Sequence, residues 1–276
     1  MISDLYDTFI ASIVSLKVMQ SNIKTIVTRE RIDIEKTIER SPNSSEDKIF
    51  QSLHNPFFKS PISGEYIFSN LIEMSIEDRK KLLKDNKNRQ YQWLLAEGYE
   101  LYEDFLENLY GEIVNSGYTL KANNSFELSR KLGGRNILNK LRKEFPELER
   151  YENINELNID YKLFIPLIEN LRHIIVHEKG KALSQDDFIE SVFKKMGFSC
   201  KSKEAKAKKA EIVRFFDGSV NISHQIRLLE LKDSPQSLLH DDRLGFLFEV
   251  LMTHAHIIFE ILPNTLKTKS VKHIIT

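Results

Sequence analysis

Three residues able to carry chemistry stand together near the end of an apolar run. They are Arg172, His173 and His177 in Leu171-Arg172-His173-Ile174-Ile175-Val176-His177-Glu178. A guanidinium is a permanent cation whose planar fork of N–H donors matches a phosphate, and an imidazole trades protons near neutral pH. Together they form a minimal kit for phosphodiester chemistry without a metal. The four-residue spacing of His173 and His177 would also permit chelation. The zinc-protease pattern, however, needs Glu directly after the first His, where this chain has Ile174, and no third ligand is evident. A site with neither metal nor cofactor is expected.

The element that must present these groups is a helix over about 161–178, ended by Gly180. Projected at about 100° per residue from Leu167, the residues Leu163, Phe164, Leu171, Ile174 and Ile175 fall between about −40° and +80°, a core face. Arg172, His173, Val176 and His177 fall on the opposite arc, between about 140° and 280°, joined by Ile165 and Glu169. Val176 and Ile165 are apolar on what should be the wet side, so another surface is expected to dock there. A homodimer through that face would bring two copies of Arg172 and His177 together. A blander account stands beside this one. Glu169, three residues before Arg172 and four before His173, would pair with both, and His177 would be only a dipole partner at the helix end.

Residues 2–40 read as one long helix or two abutting ones, with Ile2, Tyr6, Phe9, Ile13, Leu16, Ile23, Val27 and Ile34 at three-four spacing, broken by Ser41-Pro42. Pro56, Pro61 and Gly64 mark 54–70 as an ordered loop. Ser75 with Asp78 caps a short polar helix, and a long helix over about 88–115 carries Tyr91, Leu94, Leu95, Leu101, Tyr102, Phe105 and Leu109. Further helices are expected over 126–143, with Gly133-Gly134 weakening its middle, over 184–197, and over 235–262 up to Pro263. Near Asp217-Gly218, Ile212–Phe216 pairing with Val220 onward would form one small β-hairpin within 212–226. The fold class is therefore mainly all-α. An N-terminal helical extension is placed at 1–87 and a helical-bundle domain at 88–276.

The 276 residues suffice for a sizeable core, and the apolar and charged fractions fit a helical protein. Forty Lys+Arg balance forty Asp+Glu, which excludes a whole-protein basic field, so nucleic-acid contact must be local. The single cysteine, Cys200, excludes an internal disulfide and a four-cysteine zinc site, and fits a reducing compartment. Asp4 and Asp7 stand where a basic leader would be, and no apolar run reaches the length of a membrane span. A cytoplasmic protein without a membrane partner is expected.

Other residues could contribute. Lys201, Lys203, Lys206, Lys208 and Lys209 either steer an RNA backbone or form a solvated face. Trp93 and Tyr99 either stack bases or belong to the core. His254 and His256 point to different faces of the last helix and read as structural or surface residues. Arg135 after Gly133-Gly134 is faintly similar to a phosphate-binding turn, but the Gly-Lys-Ser/Thr ending of a P-loop is missing.

The segment Leu171-Arg172-His173-Ile174-Ile175-Val176-His177-Glu178-Lys179-Gly180 resembles the signature of the HEPN superfamily (higher eukaryotes and prokaryotes nucleotide-binding domains): an Arg, a polar residue, a few more positions and then His. An upstream helix with Leu101-Tyr102-Glu103-Asp104-Phe105-Leu106 is similar to many of its members, with Glu103 the best match to their acid among Glu100, Asp104 and Glu107. The resemblance covers 88–262. It implies a dimeric, largely α-helical, metal-independent endoribonuclease used as a toxin or in abortive infection and antiviral defence, restrained by an antitoxin or regulatory protein. RNA would be the substrate, with 2′,3′-cyclic phosphate and 5′-hydroxyl products. Arg172 and His177 would be catalytic. His173 would assist as an orienting group or second proton carrier, and Glu103 would fix Arg172 or a histidine tautomer. The family also contains members without catalysis that bind nucleotide or protein, and this is the alternative.

Overall fold

The computed structural model describes residues 2–40, 57–68, 76–116, 133–199, 204–216, 224–230 and 242–267. Its elements are α1 (Ile2–Arg40), β1 (Phe57–Lys59), β2 (Tyr66–Phe68), α2 (Ile76–Asn115), α3 (Gly134–Glu144), α4 (Pro146–Asn153), α5 (Tyr161–His177), β3 (Lys181–Ala182), α6 (Gln185–Met196), α7 (Ala205–Val213), β4 (His224–Gln225), α8 (Arg243–Ile261) and α9 (Asn264–Lys267). The protein is mainly helical, with two small antiparallel β-pairs, β1–β2 and β3–β4, among the described residues.

Local signals set most boundaries. The Asp160 carboxylate accepts from the Leu163 amide at 3.0 Å to start α5, and Ser184 accepts from the Asp187 amide at 3.2 Å to start α6. Gly197, at φ +68°, closes α6 in the left-handed conformation.

Several expectations are corrected. The polar helix near 76 and the helix from 88 are one helix, α2, because nothing between them breaks the backbone ladder. The proline-bearing loop holds the β1–β2 pair, its turn tied by the Ser60 hydroxyl accepting from the Ile62 and Ser63 amides. Gly133 and Gly134 stand at the start of α3 and not in mid-helix. Within 212–226, Ile212 belongs to α7, Phe216 bridges Ile226, and the ladder at His224–Gln225 pairs with Lys181–Ala182. The Asp217-Gly218 turn, Gly117, Ser75 and the stretches 126–132 and 235–241 lie outside the described residues. By length and composition α8 is apolar enough to cross a membrane. Here it is packed on one side, with Leu244, Leu247, Phe248, Val250, Leu251, His254, Ala255 and Ile258 buried.

The chain forms two compact units, one of residues 1–19 with 91–276 and one of 20–90. The first nineteen residues thus group with the larger helical unit, whereas the expected extension took in all of 1–87. In the smaller unit, Ile34 and Ile76 are buried and Arg79 pairs with Glu30 at 3.6 Å. In the larger unit, α5 packs against α4, α6 and α8. Phe9 of α1 stacks on Phe105 of α2, 5.1 Å between centroids. Gly98 lets α8 approach α2, since a Cβ there would stand 2.7 Å from a ring carbon of Phe248.

A buried polar network joins four helices of this unit. The Tyr102 hydroxyl (α2) and His254 Nδ1 (α8) lie 2.6 Å apart, and His254 Nε2 lies 2.9 Å from Glu152 Oε1 (α4). Arg142 (α3) donates to the same carboxylate twice, from Nε at 2.8 Å and Nη2 at 2.9 Å. Burial alone would push the Glu152 carboxyl up; the bonds from His254 and Arg142 outweigh it and bring its pKa from 4.5 down to about 2. A lowered carboxyl pKa gives stability that is complete above the unfolded value and is lost as pH falls through the folded one. Acid unfolding curves should therefore steepen between pH 4.5 and 2, and Glu152→Gln should remove that dependence. Arg142→Ala, which strands the buried charge, should cost about 3–5 kcal/mol in denaturant unfolding at pH 7; a loss below ~1 kcal/mol would show that the network does not hold the fold.

Candidate active site

The last two turns of α5 bury Leu171, Ile174 and Ile175 and leave His173 and His177 exposed, with Arg172 between, its side chain 27% accessible. The apolar stripe thus turns the three polar groups outward. The histidine rings follow each other on successive turns, their centroids 4.7 Å apart and tilted by 49°. Ile165, expected on the wet side, is buried, because the helix is covered there too; Val176 is half-buried.

Arg172 takes its partner from another helix. Its Nη2 donates to Glu100 Oε1 of α2 at 2.8 Å, while its buried Nε has no hydrogen-bond partner. Glu103, the expected acid, accepts instead from the Gly134 amide and feels Arg172 through space. Burial raises the Glu103 carboxyl above the usual range, and the Arg172 charge partly offsets this. The two acids are three residues apart on one helix face, so spacing did not separate them; the register between α2 and α5 did. That register is antiparallel. Arg172 meets Glu100, and Gly180, beyond the end of α5, meets Gln92. Gly180 has φ +74°, and a Cβ there would stand 2.5 Å from the Gln92 amide oxygen, so only glycine fits. Gln92 in turn donates to the Ile226 carbonyl at 2.8 Å.

Glu169 is not the partner of Arg172 or His173. It binds Arg135 of α3 and, at 2.8 Å, Lys195 of α6, and these two cations hold its carboxyl below the ordinary value against the opposing effect of burial. The helix-local ion pair therefore does not account for Arg172.

The remaining candidates divide. Trp93 is 57% exposed, on the α2 stripe that also carries Glu97 and Glu100, whereas Tyr99 is buried. Lys208 is paired with Asp160, Lys209 with Asp186 at 2.8 Å, and Lys206 is exposed on α7; Lys201 and Lys203 lie outside the described residues. The α7 lysines so far as described are thus partly spent on carboxylates. His254 is the buried network member and His256 meets the Tyr6 hydroxyl at 3.0 Å, the structural and surface roles expected. Among the described residues no group of three His, Cys, Asp or Glu side chains is placed to hold a metal ion. The acid that meets Arg172 is Glu100, which the sequence offered only as an alternative to Glu103; its position seven residues after Trp93 on an exposed stripe was the available signal.

Compared with protein-family models, curated proteins and solved structures, the chain matches none of them.

A carboxyl with a raised folded-state pKa binds its proton more tightly when folded, so it takes stability away as pH rises past the ordinary carboxylate range. Glu103→Gln should accordingly raise Tm at pH 7, and the gain should close below pH 4. A lower Tm at pH 7 would mean that the bond to Gly134 outweighs burial.

Proposed function

We propose that the protein is a metal-independent endoribonuclease of the HEPN type, acting as a homodimer through the Arg172/His177 face. The observation that supports this reading is the edge of α5, where Glu100 holds Nη2 of the part-exposed Arg172 and the exposed His173 and His177 rings follow on successive turns. An arginine positioned by one carboxylate, with donors to spare, is suited to grip a phosphate.

In the reaction, the ribose 2′-hydroxyl attacks the adjacent phosphorus. His177 takes the 2′-proton, and the bond from phosphorus to the 5′-oxygen breaks. The 5′-oxygen receives a proton from His177 of a second copy. Proton transfer of this kind contributes about 10²–10⁴-fold. Arg172 neutralises the charge that grows on the non-bridging oxygens. Glu100 holds the guanidinium in place, and His173 orients the strand or Arg172. The products are a 2′,3′-cyclic phosphate and a 5′-hydroxyl. A toxin or antiviral role, with a restraining partner protein, comes from the family reading and not from geometry.

Trp93 extends the same edge. Glu100 fixes the level of Arg172, and Trp93 lies two turns away toward Gly180, the direction in which His177 lies from Arg172. A base flanking the scissile phosphate would stack there, at about 1–3 kcal/mol per base.

His177→Ala and Arg172→Ala should each lower RNA cleavage by at least ~10²-fold, with Arg172→Lys no better, since an ammonium lacks the fork. Chelators should leave the rate unchanged, and a 2′-deoxy linkage should stay intact. Wild-type protein that is dimeric and folded but cleaves no RNA would instead indicate a silent binding scaffold. Trp93 is the single tryptophan, so its fluorescence reports directly on stacking. A 2′-deoxy oligonucleotide should quench it in the His177→Ala protein, whereas binding without quenching would remove Trp93 from the site.

A further inference from the structure

A second site stands apart from this chemistry. Between α3, the first half of α5 and the end of α6 lies a cleft of about 350 Å³. Arg135, Arg142, Lys162, Lys194 and Lys195 line it, against the acids Glu149 and Glu169. Its cations are unevenly matched. Arg142 is satisfied by the buried Glu152, and Lys162 by Glu149 at 2.7 Å. Arg135 and Lys195 must share Glu169, and Lys194 forms no ion pair among the described residues. One member of the shared pair and Lys194 are therefore left without a carboxylate of their own. Burial holds the Lys195 ammonium below its usual pKa, and the carboxylates of Glu169 and Glu103 offset this only in part. The remaining wall is apolar, with Leu106, Leu138, Ile165 and Pro166.

We propose that this cleft binds a small phosphate monoester with a flat apolar part, of the nucleoside monophosphate class. The phosphate sits among Arg135, Lys194 and Lys195, where the Arg135 fork and two ammonium groups supply donors. The ring lies on Leu138, Ile165 and Pro166. The size suits one small ligand, at the lower end of ordinary ligand pockets, and not a continuous strand. The N-terminus of α3 is not the anchor, because the Gly134 amide already serves Glu103. The proposal does not depend on RNA cleavage.

Calorimetric titration of the full chain with each of the four ribonucleoside 5′-monophosphates tests it, with inorganic phosphate and the free nucleosides as controls. At least one monophosphate should bind, inorganic phosphate should compete, and the nucleosides should give no heat. Lys194→Glu, which removes no ion pair, should weaken binding at least ~10-fold, about 1.4 kcal/mol, with Tm unchanged. Arg172→Gln should leave it as it is. No heat with any monophosphate at millimolar concentration, or binding indifferent to Lys194→Glu, would overturn the proposal. So would loss of binding in Arg172→Gln, which would put the phosphate at the other site. An oligoribonucleotide whose binding needs Lys194 while the monophosphates do not bind would make the cleft part of an RNA path instead.

Discussion

The structure depends on how one buried carboxylate is satisfied. Glu152 has no solvent access, and a bare charge there would be expensive. It is tolerable because Arg142 supplies two donors and His254 a third contact, with Tyr102 completing the chain on the far side of the imidazole. Each group comes from a different helix, so the polar demand of one atom group fixes the mutual placement of α2, α3, α4 and α8. Apolar packing alone would bring these helices together but would tolerate sliding; the geometry of four connected polar groups does not.

That frame matters for α5 because α5 makes no part of the network yet packs on α4 and α8, which do. Its register against α2 is then set at two points, the Arg172–Glu100 bond and the approach of Gln92 to Gly180. Between them the exposed edge of α2 runs past the histidines' end of α5. An arginine held by a carboxylate on a separate helix is a positioned group. Had Glu169 taken Arg172, one turn of helix would explain the pair and no tertiary constraint would be needed.

What could be read from the chain followed the range of the interaction involved. Helices α1, α5 and α6 were legible because apolar spacing and local signals such as Gly180 and Ser184 act within a few residues of one another. The outward set of Arg172, His173 and His177 followed from helical geometry alone. The choice of Glu100 over Glu103 did not, because it depends on the offset between two helices far apart in sequence. Glu152 and His254 in helices look like surface residues until tertiary contacts bury them. The β1–β2 pair was missed because three-residue strands carry too short a pattern. The polar start of α2 was read as a separate helix because few apolar residues mark it as continuous.

The two faces of α5 divide the local charge in a way the net composition conceals. Overall the chain is neutral, so no general field draws in an anion. Any anion must find places where cations outnumber the acids that hold them. Glu100 holds Arg172 through Nη2, while Glu169, one turn earlier, is stretched between Arg135 and Lys195. Each carboxylate orients its cation before an anion arrives, and Glu169 alone cannot neutralise the two cations that share it. A phosphate in the proposed cleft would therefore meet donors already in position, and it would not have to strip a fully satisfied ion pair, whose loss would offset most of the gain. At the proposed cleft, partial neutralisation and not overall basicity is the property that would favour a phosphate.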